Sequence, residues 1–161
     1  MSVRDLRPLL RLKKVALIEP WGGTYSKFGS SASASGAAAL IEAAIGKTRP
    51  GSLILAGFSG GGDALRAVGM YLSGTLFSLL SEVWCLDCMY SGEGDDWGNW
   101  ARKNKKRLRV GLSTKENSRK GHGPRAQVGA IGTGETISID TYDCEHEELP
   151  GVCIQKWLTS P

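Results

Sequence analysis

The sequence predicts an α/β fold with three layers, in which helices cover both faces of a mostly parallel sheet of about five to six strands. Short, nearly continuous apolar runs such as "LILAGF" alternate along the chain with longer segments whose apolar residues have helical spacing. Strands without a regular polar alternation are buried on both faces, which is typical of parallel sheets. With 161 residues the chain has the length of one domain, residues 1–161, and it starts with an N-terminal segment at residues 1–14.

The first predicted element is a strand at residues 15–18, an apolar run that is followed by a proline and two glycines. The alanine-rich segment 31–47 predicts a helix, because its apolar residues recur at helical spacing and a glycine closes them. Residues 53–58 form the second predicted strand. A helix then runs from about residue 61 towards residue 81, with two internal glycines as weak points.

The second half of the chain continues the alternation of strands and helices. The segment "TISIDTY" carries β-branched residues in an alternating pattern and predicts the last strand. A polar, basic, glycine-containing stretch at residues 114–125 predicts a long loop. The predicted strands lie at residues 83–87, 108–113 and 136–142, and the predicted helices at residues 95–104, 126–131 and 152–158.

Composition excludes several classes of protein. Hydrophobic residues make up 41% of the chain and charged residues 22%, as in ordinary globular domains, and no apolar stretch reaches the ~20 residues that span a bilayer. The start of the chain has positive charges but no apolar segment with a small-residue cleavage site, so we expect a cytoplasmic protein. Much of the net charge of +4 comes from residues 101–109, where a predicted helix ends, and we expect no nucleic acid partner.

The pentapeptide "GFSGG" at residues 57–61 is the strongest functional signal in the sequence. It fits G-x-S-x-G at a junction between a strand and a helix, where a sharp turn exposes the serine hydroxyl and the glycines avoid clashes with neighbouring backbone. The pattern therefore predicts Ser59 as a nucleophile. A structural glycine turn and a phosphate-binding loop are the alternatives, although the segment lacks the lysine of a P-loop.

A serine nucleophile needs a base, and the chain has only 2 histidines. His146 follows the last predicted strand, whereas His122 lies in the polar loop, so we predict His146 as the base. Asp87 ends the third predicted strand and is the predicted acid that orients the histidine. Glu116, which follows the next strand, and Asp143, which is close to the histidine in sequence, are the rival acids.

From residue 15 to its end the chain resembles a compact α/β-hydrolase of the serine esterase or lipase-like type. "LILAGFSGGGDAL" is similar to the nucleophile elbow of that family, "VWCLDCMY" to the strand with the acid, and "EHEELPGVCIQKWL" to the histidine loop and closing helix. The resemblance implies hydrolysis of a small-molecule carboxylic ester with a small or medium acyl chain, without a metal or organic cofactor. It also implies an oxyanion hole made by the backbone N–H of Gly60 and of Trp21 or Gly22.

The sequence also departs from this family. Only one clear strand precedes the elbow and no HGGG-type segment is present, so the chain is either a minimal or a truncated member, without an insertion large enough for a lid. The sheet edge that the missing strands would leave open makes a homodimer a hypothesis. Trp97 and Trp100 are candidate walls of an open pocket, with core packing as the alternative.

Two other classes of function stay open. One is a non-catalytic binding module of the same fold, and the other is a metal-binding or redox domain that uses "CLDC" with Cys144 and His146. The four cysteines lie in apolar surroundings, which favours buried thiols. If the third strand continued past Asp87, Cys85 and Cys88 would point to opposite faces of the sheet, which argues against a shared metal.

Overall fold

The computed structural model describes residues 34–47, 50–90, 92–115 and 123–159. In this part of the chain four strands, all parallel, form one sheet in the order β1-β2-β3-β4, so the fold is α/β, as predicted. These four strands correspond to four of the five predicted ones, and the strand predicted at residues 15–18 lies outside the described residues. The strands are β1 (Leu53–Phe58), β2 (Leu80–Leu86), β3 (Arg107–Ser113) and β4 (Ile137–Tyr142).

Helices fill the connections, because parallel neighbours need crossovers rather than tight turns. The single helix predicted between β1 and β2 is two helices in the structure, since the backbone is extended at Leu72 and Ser73. The helix predicted at residues 126–131 begins earlier, as a 3-10 turn at Pro124–Gln127. The α-helices are α1 (Ala34–Ile45), α2 (Gly62–Tyr71), α3 (Gly74–Leu79), α4 (Glu93–Asn104), α5 (Val128–Ile131) and α6 (Leu149–Thr159).

Side chains on the two faces of the sheet belong to two hydrophobic clusters. Along β2, Val83 and Cys85 lie in one cluster while Trp84 and Leu86 lie in the other, which is the alternation expected of a strand. The first cluster includes residues of α1, α2 and α4, and the second includes residues of α6. The central strands β2 and β3 are therefore buried on both faces along most of their length, as predicted, whereas Ile54 of β1 and Ile139 of β4 are 38% and 36% exposed.

The aromatic side chains of α4 are part of the core. Trp97 and Trp100 are 0% and 7% exposed, and their rings meet edge to face with centroids 5.4 Å apart. They do not wall an open pocket, because the face of α4 that carries them is the one that packs on the sheet. None of the helices in the described part of the chain has both the length and the hydrophobicity that a membrane crossing requires.

The parallel register brings the carboxyl ends of the four strands to one edge of the sheet. Phe58 at the end of β1 pairs with Leu86 at the end of β2, and Ser113 at the end of β3 pairs with Tyr142 at the end of β4. Open α/β sheets bind their ligands beyond this edge. The segments that follow the strands therefore meet where a site is expected.

Candidate active site

Ser59 starts a 3-10 turn, Ser59–Gly61, that joins β1 directly to α2. Its φ is +48°, a left-handed conformation that residues other than glycine rarely adopt. Such strain costs about 1–3 kcal/mol and clusters at functional sites, where the surrounding structure holds it in place. The sharp strand-to-helix turn that the motif requires is present at this serine.

Two glycines of the elbow are required by close packing. A Cβ atom at Gly57 would lie 2.9 Å from the side chain of Leu65, and a Cβ atom at Gly62 would overlap the backbone carbonyl oxygen of Cys88. Gly61, although it closes the pentapeptide motif, has no such neighbour, because a Cβ there would meet open space. The contact at Gly62 holds the elbow against the segment that follows β2.

Asp87, in that segment, is the most buried charged residue of the site, with 0% of its surface exposed. The backbone N–H of Ser113 donates to its two carboxylate oxygens, at 3.1 and 3.3 Å. Burial raises the pKa of the Asp87 carboxyl above its ordinary value, and the hydrogen bonds from His146 and from the Ser113 N–H offset this only in part. Asp87 also has a positive φ, +42°, so two of the three non-glycine residues with this conformation in the described segments are Ser59 and Asp87.

His146 starts a second 3-10 turn, His146–Glu148, which leads into α6. A capping box between Glu145 and Glu148 fixes the entry of the chain into this turn. Nδ1 of the imidazole lies 3.0 Å from Oδ2 of Asp87. Its ring centroid lies 4.6 Å from that of Phe58, the residue that precedes Ser59. The histidine therefore contacts both the buried acid and the strand that carries the elbow.

The other pair of the predicted triad, Ser59 and His146, is not hydrogen-bonded in the described structure. Among the residues that the structure describes, no hydrogen bond joins the Ser59 hydroxyl to His146. Catalytic hydrogen bonds are commonly long in proteins without substrate and tighten when substrate binds. Asp87 and His146 are thus hydrogen-bonded, and Ser59 directly follows Phe58, whose ring contacts the imidazole.

The backbone N–H of Gly60 lies at the start of the Ser59–Gly61 turn. The first hydrogen bond of the turn is donated by the Gly62 N–H to the Ser59 carbonyl oxygen, so the Gly60 N–H has no acceptor within the turn. Amides at the start of a helical segment lack intrahelical partners for the same reason. The amide of Gly60 directly follows the nucleophile, which is the position from which such a donor acts.

The remaining predicted residues fall into two groups. Asp143 is exposed, and its carboxylate accepts a hydrogen bond of 3.1 Å from the Thr114 hydroxyl and lies 3.9 Å from Nζ of Lys115, whereas Asp87 is the acid bonded to the histidine. The other acid and the other candidates, Glu116, His122, Trp21 and Gly22, lie outside the described residues.

The cysteines are buried and free, as predicted. The argument that Cys85 and Cys88 face opposite sides is wrong, because β2 ends at Leu86 and both side chains lie in the same cluster. Among the described residues no group of three or more metal-ligating side chains occurs. Burial raises the pKa of the Cys85 thiol above its ordinary value and that of the Cys153 thiol to about 12.

Two residues of the site, Phe58 and Ser113, have no role predicted from the sequence. Phe58 contacts the histidine ring, and Ser113 contacts the acid. The signal that could have found them is position, because each is the last residue of a strand whose carboxyl end lies at the site. No protein-family model matches the chain, and the searches found no similar protein among curated proteins or among solved structures. The geometry of the site is therefore the guide to function.

Proposed function

We propose that the chain is a serine hydrolase of the α/β-hydrolase type, which cleaves carboxylic esters of small or medium acyl chains. One observation carries the proposal: the imidazole of His146 is bonded to the buried Asp87 and contacts Phe58, the residue before a serine in a strained elbow. The chain order of serine, acid and histidine is the order of that fold.

In the proposed acylation step, the Ser59 hydroxyl oxygen attacks the ester carbonyl carbon while Nε2 of His146 takes its proton. With Asp87 ionised, Nδ1 of the neutral imidazole carries a proton that it donates to the carboxylate, which leaves the lone pair on Nε2. Asp87 then stabilises the imidazolium that forms. His146 returns its proton to the alcohol that leaves, and the acyl group remains on Ser59.

Deacylation repeats the same proton transfers with water. His146 takes a proton from water, the hydroxide oxygen attacks the acyl carbon, and the proton returns to the Ser59 oxygen as the carboxylic acid leaves. The Gly60 N–H stabilises the oxyanion in both steps, and the proposed second donor is the N–H of Trp21 or Gly22. Each such donor is typically worth about 3–4 kcal/mol in the transition state.

The decisive test is reaction of the purified protein with a fluorophosphonate, which modifies only an activated serine. We expect one adduct by intact mass, located at Ser59 by peptide mapping, and no adduct in Ser59→Ala or His146→Ala. Ser78→Ala is the matched control, because Ser78 is an exposed serine on α3 whose hydroxyl donates to the backbone carbonyl oxygen of Gly74. A folded wild-type protein that forms no adduct would refute the proposal.

The second candidate is a non-catalytic binding module of the same fold. It is favoured by the absence, among the described residues, of a hydrogen bond between Ser59 and His146. This candidate predicts that the fluorophosphonate leaves Ser59 unmodified while the Asp87–His146 hydrogen bond is intact. The same labelling experiment therefore decides between the two.

A further inference from the structure

The distance between β2 and β4 poses a structural problem for the site. In the sheet order, β3 lies between the strand that precedes Asp87 and the strand that precedes His146. Neighbouring strands are about 4.8 Å apart, so the segment after β4 has to cross the end of β3 to bring the imidazole to the carboxylate. A residue at the end of β3 is therefore placed to contact both the segment after β2 and the segment after β4.

We infer that Ser113 is a positioning residue, which aligns the acid and the base of the proposed serine hydrolase from the end of β3. The inference rests on the proposed function for its catalytic consequence. The backbone N–H of Ser113 donates to both carboxylate oxygens of Asp87, the residue that follows β2, at 3.1 and 3.3 Å. Its hydroxyl donates to the backbone carbonyl oxygen of Cys144, in the segment between β4 and His146.

The hydroxyl of Ser113 makes two hydrogen bonds. Besides donating to Cys144 O, its oxygen accepts the backbone N–H of Lys115 at 3.0 Å. Ser113 is 0% exposed, so no water replaces these bonds when the hydroxyl is removed. An alanine would leave the N–H contact with Asp87 in place while removing the side-chain hydrogen bond to Cys144 O, in the segment that carries His146.

A second serine of the sheet offers a matched control for the loss of one such hydrogen bond. The Ser81 hydroxyl donates to Leu53 O at 3.1 Å and ties β2 to β1 at the amino ends of the strands, the edge opposite to the site. A structural role alone predicts that Ser81→Ala and Ser113→Ala behave alike. Positioning predicts that only the change at the end of β3 affects the histidine.

The first readout is kinetic and uses hydrolysis of a short-chain p-nitrophenyl ester by the full chain. For Ser113→Ala we expect kcat to fall about 10²-fold with KM changed less than about twofold, because a displacement of ~1 Å has an effect of that size. Ser81→Ala should keep the wild-type kcat, and Ser113→Thr, which retains a hydroxyl, should recover activity relative to alanine. Equal kcat values in Ser113→Ala and the wild type would overturn the inference.

The second readout does not depend on activity. The Nδ1 proton of His146, which is held by Asp87, should give a downfield proton resonance that is slow to exchange with water. We expect this resonance to broaden or disappear in Ser113→Ala and to persist in Ser81→Ala. If Ser113→Ala does not fold, Ser113→Cys fills the same space with a weak donor and should broaden the resonance in the same way.

The outcomes separate the two proposals. A sharp resonance in every variant overturns the positioning role whether or not Ser59 reacts with a fluorophosphonate. A resonance that Ser113→Ala removes, in a protein whose Ser59 is unreactive, supports the positioning of Asp87 and His146 and refutes the hydrolase. A wild-type protein without the resonance overturns the positioning role, because the hydrogen bond to be aligned would then be missing.

Discussion

Glu82 and Asp87 are two carboxylates at opposite ends of β2, and their surroundings differ in kind. Glu82 accepts hydrogen bonds of 2.8 Å from Trp84 Nε1 and from Nε of Arg109, and a second arginine contacts it at 3.3 Å. Asp87 is fully buried and bonds to one imidazole and one backbone N–H, with no arginine or lysine bonded to it in the described part of the chain.

The difference concerns the partner's charge. A guanidinium keeps its charge at every working pH, so the two arginines remain cationic partners of Glu82 and their bonds contribute to stability. An imidazole gains and loses its proton near neutral pH, so the pair at the other end of the strand can move protons. Glu82 is thus paired with cations of fixed charge, whereas Asp87 is buried with a titratable side chain as its partner, an arrangement in which the charged carboxylate is disfavoured by burial.

The largest expected effect is on kcat, which should depend on Asp87 and not on Glu82. Asp87→Asn should lower kcat about 10³–10⁴-fold, because the amide no longer holds the productive imidazole tautomer. Glu82→Gln should keep kcat within about twofold and lower the free energy of unfolding by about 1–2 kcal/mol, through weaker bonds to the arginines. Ester hydrolysis and urea unfolding of both variants check this, and a reversed pattern would contradict the comparison.

The next effect tests the contact that holds the elbow to the segment of Asp87. Gly62→Ala should lower the free energy of unfolding by about 3 kcal/mol, because its Cβ would overlap Cys88 O, a backbone atom that cannot turn aside. Gly61→Ala is the control: its φ is −72° and a Cβ there meets open space, so we expect a change within about 0.5 kcal/mol. Urea unfolding measures both, and equal losses would mean that the contact is unimportant.

A smaller effect concerns pH. The folded-state pKa of Asp87 is raised above the ordinary value of about 3.9, so folding favours its protonated form. Its contribution to the free energy of unfolding is therefore greatest below that ordinary value and is lost as the pH rises through the raised pKa. Asp87→Asn does not titrate, so the variant should gain stability relative to the wild type over the same window.

The measurement for this prediction is urea unfolding of the wild type and Asp87→Asn at steps from about pH 3 to pH 7. Glu82→Gln serves as the reference for losing a carboxylate at the other end of the strand. A stability difference between wild type and Asp87→Asn that stays constant across the window would show that burial does not raise the pKa of Asp87.

The smallest expected effect concerns Arg125, an exposed cation whose charge acts on Asp87. Arg125 lowers the pKa of Asp87 by its charge, as the weakest of the influences on this carboxyl. Arg125→Gln should therefore move the pH range over which Asp87 changes the free energy of unfolding to slightly higher values. The direction of this shift is the expected result. Lys103→Gln removes another exposed positive charge, on α4, and should leave the window unchanged in the same urea series.

Much of the sheet could be predicted because its strands are continuous apolar runs. β1 occupies the residues predicted for it, and β3 and β4 differ by one residue at their starts. The start of β2 at Leu80 was missed, because the helix before it passes into the strand without a loop and leaves no break in the sequence. Local patterns predict elements best where glycine or proline separates them.

The site was predictable to the extent that its chemistry is tied to strand ends. Ser59, Asp87 and His146 each follow a strand, so their order and residue types could be read from the sequence. The sequence favours Asp87 but leaves Asp143 as a rival. The hydrogen bond to the histidine decides between them, and it depends on how the segment after β4 crosses β3. The position of Ser113 at a strand end could be read from the sequence, but its role could not, since its partners are a distant carboxylate and a distant carbonyl that leave no local pattern.

The all-parallel order of the sheet has a consequence for how the protein acquires its site. Every strand pair is joined by a long crossover, and such non-local pairing makes folding slow because loop closure precedes the contacts that reward it. His146 follows β4, the last of the four described strands along the chain, and it reaches Asp87 across β3, with which β4 is paired. A nascent chain or a partly folded intermediate that lacks β4 therefore has the elbow without the proposed base, so on the proposed mechanism reactivity at Ser59 would report completed assembly of these four strands.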